Sequence, residues 1–309
     1  MIHDLLTKFK KPSVHAEGFL FLVLISFFSC ATNNSANLRA GSSTAKEDFL
    51  PGEFVWQKIE KADWAEYFLF ENKNYPLRYH CIKINLSSPN LAIVTFPDSE
   101  KVFLHKNGLK TPYFKGMTAK EFSDKSGSLL SVNAAPFAGK SKNSRIALLL
   151  STRKIIGIHV ADKKVLSLPL AKYSAICFKK SDSGFTGTIF QRQESQDFSE
   201  YDFAFGGFFT ILKDFNRQNF TSQSQDSRTA MGLSKDGKTL YLLTVEGEIP
   251  SKSAGLSYQK CADIMLSLGV SDALQMDGGG STSLFINGKN PMQYKSTRKN
   301  AVFIGFSNR

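Results

Sequence analysis

The sequence of 309 residues lacks a membrane-spanning helix signal near its N-terminus. The apolar run at residues 18–28 is shorter than the ~20 residues that such a helix needs. Lys8, Lys10 and Lys11 precede this run, as in the positive n-region of a secretory signal. We therefore predict that residues 1–29 are a signal peptide that is removed on export.

The apolar run ends at Ser29-Cys30, which resembles a bacterial lipobox. In a lipobox the cysteine is acylated and becomes the new N-terminus, and two acyl chains give stable anchoring. Residues 30–50 would then be the lipidated Cys30 and a flexible tether rich in Ser, Asn, Ala and Thr. These features predict an exported protein with a lipid anchor in the membrane, periplasmic or on the cell surface. An ordinary signal peptide and an uncleaved anchor are the alternatives.

Cysteine and histidine are scarce. Besides Cys30 there are three cysteines, an odd number that cannot all pair within one chain. No CxxC motif occurs, and the five histidines form no cluster, so a His/Cys metal site is not predicted. We predict no cofactor. A Ca²⁺ or Mg²⁺ ion held by oxygen ligands beside an aspartate is left open by the sequence.

The charge is basic, with 39 Lys and Arg against 27 Asp and Glu and a formal net charge of +12. These basic residues are scattered along the chain, so nucleic-acid binding is not predicted. The charge is compatible with attraction to anionic polymers or phosphate-bearing substrates. A generally soluble basic surface is the alternative.

Short apolar runs separated by turn residues predict a single α+β domain over residues 51–309, with a mixed, strand-rich sheet core and a few flanking helices. Apolar residues at three- and four-residue steps predict a helix at residues 257–268, and a capping box predicts another at 118–122. The predicted strands are residues 78–86, 91–96, 129–133, 146–150, 155–160, 175–178, 273–276, 283–287 and 301–306, with a hairpin of 228–233 and 239–246.

The run Asp277-Gly278-Gly279-Gly280-Ser281, which we call the glycine loop, is the clearest candidate for chemistry. Three consecutive glycines are unfavourable in a helix or strand, and they let backbone N–H groups approach an anion closely. The carboxylate of Asp277 could act there as a nucleophile, a general base or a stabiliser of positive charge. A tight turn with a surface aspartate is the alternative.

Residues 273–288 around this loop resemble the signature of the phosphodiester glycosidase family. The segment from Arg228 to Leu240 resembles the family's Arg-Thr-Ala-x-Gly hairpin, and Ser253-Ala-Gly-Leu-Ser resembles the lead into its helix. The likeness is strongest over residues 201–306. It implies a hydrolase that cleaves a sugar-1-phosphodiester, similar to an N-acetylglucosamine-1-phosphodiester, at the anomeric bond. Its partner would be a sugar-phosphate or glycan substrate.

The family resemblance implies catalytic roles for Asp277 first and Glu246 second. Arg228 and Arg298 would clamp the phosphate, because guanidinium binds phosphate in a planar, bidentate way. The full substrate-binding set would be Arg228, Gly278, Gly279, Gly280, Ser281, Thr282, Asn133, Gly206, Gly207 and Arg298.

Each of these roles has a structural alternative. Glu246 could be a solvated strand end, and Arg228 could pair with a structural carboxylate. Arg298 lies in a basic run that could be solvated surface. Asn133 could cap a loop instead of binding a sugar hydroxyl. Gly206 and Gly207 could serve close packing.

Three segments depart from the family pattern, one of them being Glu246-Gly247, which stands where Asp-Gly is common. Asn133-Ala134-Ala135-Pro136-Phe137 stands where the family has an Asn-Gly-x-Phe-Phe type segment. Gly206-Gly207-Phe208-Phe209 stands for its Gly-Gly-Gly-Pro segment. These changes keep two rivals open: a module that binds phosphorylated glycans without cleaving them, and a structural surface lipoprotein.

Overall fold

The computed structural model describes residues 49–72, 74–100, 104–106, 109–139, 152–194 and 196–309. These residues all belong to one compact unit, Ala45–Arg309. The predicted signal peptide, Cys30, the tether before residue 49 and the predicted strand at 146–150 lie outside the described residues.

Strands dominate the described part of the chain. In chain order they are β1 Gln57–Ile59, β2 Ala62–Asn72, β3 Leu77–Asn85, β4 Leu91–Phe96, β5 Leu104–Lys106, β6 Leu109–Lys115, β7 Leu130–Asn133, β8 Phe137–Gly139, β9 Thr152–Ile155, β10 His159–Ala161, β11 Lys164–Ser167, β12 Ser174–Ser181, β13 Gly184–Phe190, β14 Phe203–Gly207, β15 Phe209–Lys213, β16 Asn216–Arg217, β17 Arg228–Leu233, β18 Thr239–Val245, β19 Asp272–Gln275, β20 Leu284–Ile286 and β21 Phe303–Asn308.

Four sheets arise from these strands. An eight-stranded sheet has the order β1-β2-β3-β18-β17-β19-β15-β16, and a five-stranded sheet has the order β11-β10-β14-β12-β13. Two four-stranded sheets follow the orders β20-β7-β21-β4 and β5-β6-β9-β8. Every pairing between these strands is antiparallel within the described ranges. The strand-rich core is confirmed, whereas the expected mixed sheet is corrected to antiparallel sheets.

Helices α1 Ala119–Ser126 and α2 Tyr258–Ser267 both begin where their caps predict. The Thr118 and Glu121 side chains form the reciprocal capping box before α1. The Ser257 side chain accepts the N–H of Lys260 at the start of α2. Gly269, with φ +80, follows the end of α2. A residue in this left-handed conformation can close the last turn of a helix.

The predicted strand at 155–160 is wrong. The chain forms two short strands there, β9 and β10, separated by Gly157 with φ +84. The Gln193 amide fills the space at this glycine, since a Cβ would stand 2.8 Å from its Nε2. The break redirects the chain from one sheet to another.

The eight-stranded sheet is buried on both faces, because its strands alternate between two apolar cores. Leu240 and Leu242 of β18 enter the larger core, while Leu243 and Val245 enter a second core beneath α2. Helix α2 covers that second face with buried residues such as Met265. In the described ranges no helix is long and apolar enough to span a membrane.

Candidate active site

Asp277 begins the glycine loop and is separated by one residue, Met276, from the end of β19, an interior strand of the eight-stranded sheet between β17 and β15. The Met276 N–H donates to the Thr229 carbonyl at 2.8 Å, and the Asp277 N–H donates to the Ala134 carbonyl at 3.0 Å. The Asn133 Nδ2 donates to the Asp277 carbonyl at 2.7 Å. Hydrogen bonds from β17 and from the end of β7 thus fix the backbone of this aspartate.

The glycine loop closes as a short 3-10 turn over Gly279–Ser281. Gly279 has φ +57, a conformation in which most side chains are strained. Its N–H donates to the Ser227 carbonyl at 2.9 Å, while the Gly278 N–H faces the Asp277 carboxylate. Two of the three amides of the expected phosphate cradle, those of Gly278 and Gly279, thus have acceptors within the protein, and the cradle stays a prediction.

Close approach of neighbouring groups explains the other two glycines. A Cβ at Gly278 would stand 2.8 Å from the Ser227 carbonyl oxygen. A Cβ at Gly280 would stand 2.8 Å from the Nη2 of Arg298. A side chain at residue 278 would displace the backbone of Ser227, and one at residue 280 would displace the guanidinium of Arg298.

The Asp277 carboxyl group is half-buried and titrates unusually high. Burial raises its pKa to about 6, although the hydrogen bond from Ser281, the charge of Arg298 and the Gly278 N–H each lower it. This pKa lies near neutrality, where a carboxyl group can exchange protons with a substrate or water. The value marks Asp277 as the candidate reactive group of the loop.

Arg298 is brought to Asp277 by the chain segment before β21. Its Nη1 donates to the Ser281 Oγ at 3.3 Å, and that hydroxyl also bonds the Asp277 carboxylate. Ser296 ties the same segment to the loop, because its Oγ donates to the Gly280 carbonyl at 2.6 Å. The structure therefore places Asp277, Ser281 and Arg298 together, as the sequence analysis expects.

Arg228 does not join this group. Its side chain is buried, with Nε donating to the Leu256 carbonyl at 3.1 Å and Nη2 to the Ser224 carbonyl at 2.9 Å. Its guanidinium also lies 4.0 Å from the centre of the Tyr258 ring, on the side of the sheet covered by α2. Arg228 ties a loop to the sheet through carbonyls, whereas its structural alternative named a carboxylate, and the phosphate clamp stays a prediction.

Asn133 caps the glycine loop. Its Oδ1 accepts the Thr229 hydroxyl and the Ser283 N–H, both at 3.0 Å, while its Nδ2 holds the Asp277 carbonyl. The side chain is 1% exposed, so the predicted contact with a sugar hydroxyl gives way to the loop-capping alternative. Thr282 is also fully buried, which removes it from the surface that a substrate could reach.

Glu246 is a buried structural carboxylate. Its Oε1 accepts the Arg78 Nε and the His80 Nε2, both at 2.9 Å. Its Oε2 accepts the N–H of Gln293 at 2.8 Å and that of Tyr294 at 3.4 Å. All four contacts are donors from the protein and the residue is buried, so the solvated-strand-end alternative is corrected, while the catalytic role of Glu246 stays a prediction. Glu246 anchors the segment that leads to Arg298.

The titration of this buried cluster follows from its contacts. Burial raises the pKa of Glu246, but the hydrogen bonds from His80 and the Gln293 N–H and the charge of Arg78 outweigh it and hold the pKa low. Burial lowers the pKa of His80, so the ring is neutral at pH 7. The Glu246 carboxylate at 2.9 Å from Nε2 can only accept, which assigns the ring proton to Nε2, so Nδ1 accepts from the Tyr67 hydroxyl at 2.8 Å.

Gly206 and Gly207 are packed inside the protein at the end of β14. A Cβ at Gly206 would stand 3.1 Å from the Ile156 carbonyl, and one at Gly207 would stand 2.6 Å from a Leu274 methyl carbon. Both residues are buried within a strand. The predicted substrate contact is therefore corrected to close packing of strands, the alternative named above.

Two carboxylates near the loop are not found by the sequence analysis. A Cβ at Gly279 would stand 3.7 Å from the Asp226 Oδ2 and 3.8 Å from the Glu248 Oε1. Asp226 lies two residues before Arg228, and Glu248 lies two residues after Glu246. This proximity in sequence to predicted site residues is the signal that could have identified them. No group of three or more His, Cys, Asp or Glu side chains that could hold a metal occurs in the described part of the chain.

A sequence profile of phosphodiester glycosidases matches residues 126–307, which is more than half of the chain. The matched range contains the glycine loop, Arg298 and the capping Asn133. The chain belongs to the phosphodiester glycosidase family.

Solved structures share the fold of this chain. The catalytic domain of zebrafish N-acetylglucosamine-1-phosphodiester alpha-N-acetylglucosaminidase, auto-inhibited by its pro-peptide, is similar with a TM-score of 0.56 and 13% identity over 82% of this chain and 88% of that chain. A hypothetical protein from Synechocystis has a TM-score of 0.57 and 13% identity, over 84% and 64%. A protein from Burkholderia pseudomallei K96243 has a TM-score of 0.54 and 12% identity, over 75% and 74%. No curated protein sequence matches the chain significantly.

Proposed function

We propose that this protein hydrolyses sugar-1-phosphodiesters at the anomeric carbon. The observation that carries the proposal is the group of Asp277, Ser281 and Arg298, in which a carboxyl group with a pKa of about 6 lies beside an arginine. Such a pair offers one group to the anomeric centre and one to the phosphate. Family membership supports the same reaction class.

The chemistry needs help on both sides of the bond that breaks. Above pH 6 the ionised Asp277 either attacks the anomeric carbon or takes the proton of an attacking water, and it stabilises positive charge that develops on the sugar. Arg298 holds the phosphate, which departs with the bonding electrons as a phosphate monoester. Because the monoester is a good leaving group, a strong general acid on that side is less necessary than for ordinary glycosides.

The first substrate to test is an N-acetylglucosamine-1-phosphodiester, the substrate class in the name of the zebrafish enzyme. The panel should also include diesters of other sugars. Release of free sugar by the full chain is expected, with loss of at least a hundredfold in Asp277→Asn. Asp272→Asn is the matched control, because Asp272 lies at the other end of β19 and pairs with Lys213 at 2.8 Å.

Absence of turnover on every diester would overturn the hydrolase. Saturable binding of diesters, retained in both variants, would then favour the glycan-binding module. Absence of both turnover and diester binding in the wild type, with Asp277→Asn behaving like the wild type, would favour a structural lipoprotein.

We also propose that the protein acts outside the cytoplasm, attached to the membrane through Cys30. The lysines before the apolar run and the Ser29-Cys30 pair support this placement. Labelling cells with an alkyne fatty acid should tag the wild type and leave Cys30→Ala untagged. Equal labelling of both proteins, or recovery of both in the soluble cytoplasm, would contradict the anchor.

A further inference from the structure

Arg153 lies next to the segment that carries Arg298. Its Nε donates to the Lys299 carbonyl at 2.7 Å, and its Nη1 donates to the Thr152 carbonyl at 3.1 Å. Its guanidinium also lies 5.2 Å from the centre of the Phe137 ring. These three contacts hold the half-buried guanidinium at a defined place, beside Lys299, the residue that follows Arg298 in the chain.

Among the described residues Arg153 has no carboxylate partner of its own, whereas Arg298 lies near the Asp277 carboxyl group. The charge of Arg298 reaches Arg153, and together with burial it lowers the pKa of that guanidinium. Neither arginine has a salt bridge among the described residues. The surrounding sequence is also basic, since residues 101–155 contain eleven Lys and Arg and only two Asp and Glu. A partly desolvated guanidinium near a second positive charge is destabilised, and a bound anion would relieve that cost.

Arg153 keeps hydrogen-bond donors for such an anion. A guanidinium has five N–H donors, of which the Lys299 and Thr152 carbonyls use two. Arg298 contacts the Ser281 hydroxyl beside Asp277, and Arg153 contacts the carbonyl of Lys299, the next residue in the chain. A substrate with its anomeric carbon at Asp277 and its phosphate at Arg298 would therefore bring that phosphate near Arg153.

We propose that Arg153 is a second phosphate-binding residue, which with Arg298 balances the charge that appears on the phosphate as the sugar leaves it. The inference rests on the proposed hydrolase function. A phosphodiester carries one negative charge. When water bonds to the anomeric carbon, gives its proton to the Asp277 carboxylate and displaces the phosphate, the electron pair of the broken carbon–oxygen bond stays on the phosphate oxygen. The monoester thus gains a second negative charge, which a second arginine stabilises more strongly in the transition state than in the bound diester.

Binding of two simple anions tests this without turnover. Methyl phosphate represents the dianionic monoester and dimethyl phosphate the monoanionic diester, both measured by calorimetry on the full chain at pH 8. The wild type should bind methyl phosphate more tightly. Arg153→Gln should lose about tenfold in affinity for methyl phosphate and less than threefold for dimethyl phosphate, the size expected for one charge-assisted contact.

Kinetics on the diester substrate should show the matching pattern. Arg153→Gln is expected to lower kcat by about tenfold or more with little change in KM, because the missing charge acts mainly on the transition state. Arg153→Lys, which keeps the charge, should recover part of kcat and of the preference for methyl phosphate. Lys154→Gln is the matched control: this exposed neighbour on β9 should change neither quantity.

The outcomes separate this inference from the proposed function. Wild-type turnover with no effect of Arg153→Gln on kcat or on the anion preference would overturn the inference and leave the hydrolase intact. An inactive wild type that loses its methyl phosphate preference in Arg153→Gln would keep the phosphate site and remove the hydrolase. If Arg153→Gln does not fold, Arg153→Lys takes its place. The inference would then be overturned if the wild type binds methyl phosphate and dimethyl phosphate equally and Arg153→Lys keeps the wild-type affinity and kcat.

Discussion

The guanidinium of Arg298 lies directly against Gly280, so that a Cβ on residue 280 would stand 2.8 Å from Nη2 and 3.1 Å from Cζ. This contact depends on the missing side chain at the third glycine of the loop. It couples the loop to the cation that the proposed reaction needs, and it suggests a substitution that separates activity from stability.

Gly280→Ala should displace Arg298 while leaving the fold intact, because the contacted atoms are the far end of a flexible side chain. We expect a fall in kcat/KM of about tenfold and a stability change within about 1 kcal/mol. Gly278→Ala should instead cost about 1–3 kcal/mol, because a Cβ there meets the backbone oxygen of Ser227. Thermal melts and kinetics on both variants check this. Gly52→Ala, in open space, is the neutral control.

The pH profile should report the titration of Asp277. If the ionised carboxylate is the active form, kcat/KM rises with pH through about 6 and then levels off. The Ser281 hydrogen bond and the Arg298 charge both lower this pKa, so Ser281→Ala and Arg298→Gln should move the rising limb to higher pH. A profile that falls as pH rises through 6 would show instead that protonated Asp277 is the active form.

Asp277 should also reduce stability at neutral pH. Its folded pKa of about 6 exceeds the value of about 3.9 in an unfolded chain, so the protonated group favours folding below pH ~4. That contribution is lost as pH rises through 6. Asp277→Asn should therefore gain stability relative to the wild type between pH 4 and pH 8, by at most about 3 kcal/mol. Chemical unfolding at both pH values measures the gain, and a constant difference would contradict the raised pKa.

Glu246→Gln should destabilise the protein by about 2–4 kcal/mol, because an amide cannot accept four donors as a carboxylate does. The low folded pKa of Glu246 makes its contribution largest near pH 7 and diminishing in acid. Hydrogen exchange should speed up at residues 291–298, which this carboxylate anchors. Glu71→Gln is the control, because Glu71 pairs with the same Arg78 at 2.8 Å but on the surface. An unchanged exchange rate in Glu246→Gln would show that other contacts hold the segment.

Local patterns in the sequence are enough to place several elements. The capping box before α1, the three- and four-residue steps of α2 and the turn between β17 and β18 each depend on residues close together in the chain. The glycine loop is likewise evident from composition, because three glycines in a row have no good use in regular structure. The pairing of Arg298 with this loop is implied by family resemblance and not by local pattern.

Whether a predicted site residue lies beside the glycine loop depends on contacts between segments that are distant in the chain. Arg228 and Thr229 are adjacent, yet the alternation of β17 sends one toward α2 and the other toward Asn133. Glu246 looks like a strand end in sequence, but His80 and Gln293 reach it from residues far away in the chain. The periodicity of one strand does not show which residues of another strand will contact it.

The sequence by itself therefore determined the strand-rich class of the fold and the loop with its aspartate, because these follow from short-range spacing. It also determined the family, because its motifs resemble those of that family. The tertiary structure decided which charged residues stand beside that loop. Burial and partner groups set whether a carboxylate or guanidinium is bonded within the protein, as Glu246 and Arg228 are, or remains close to the reactive aspartate, as Arg298 does. Those conditions arise only when strands distant in sequence pack together.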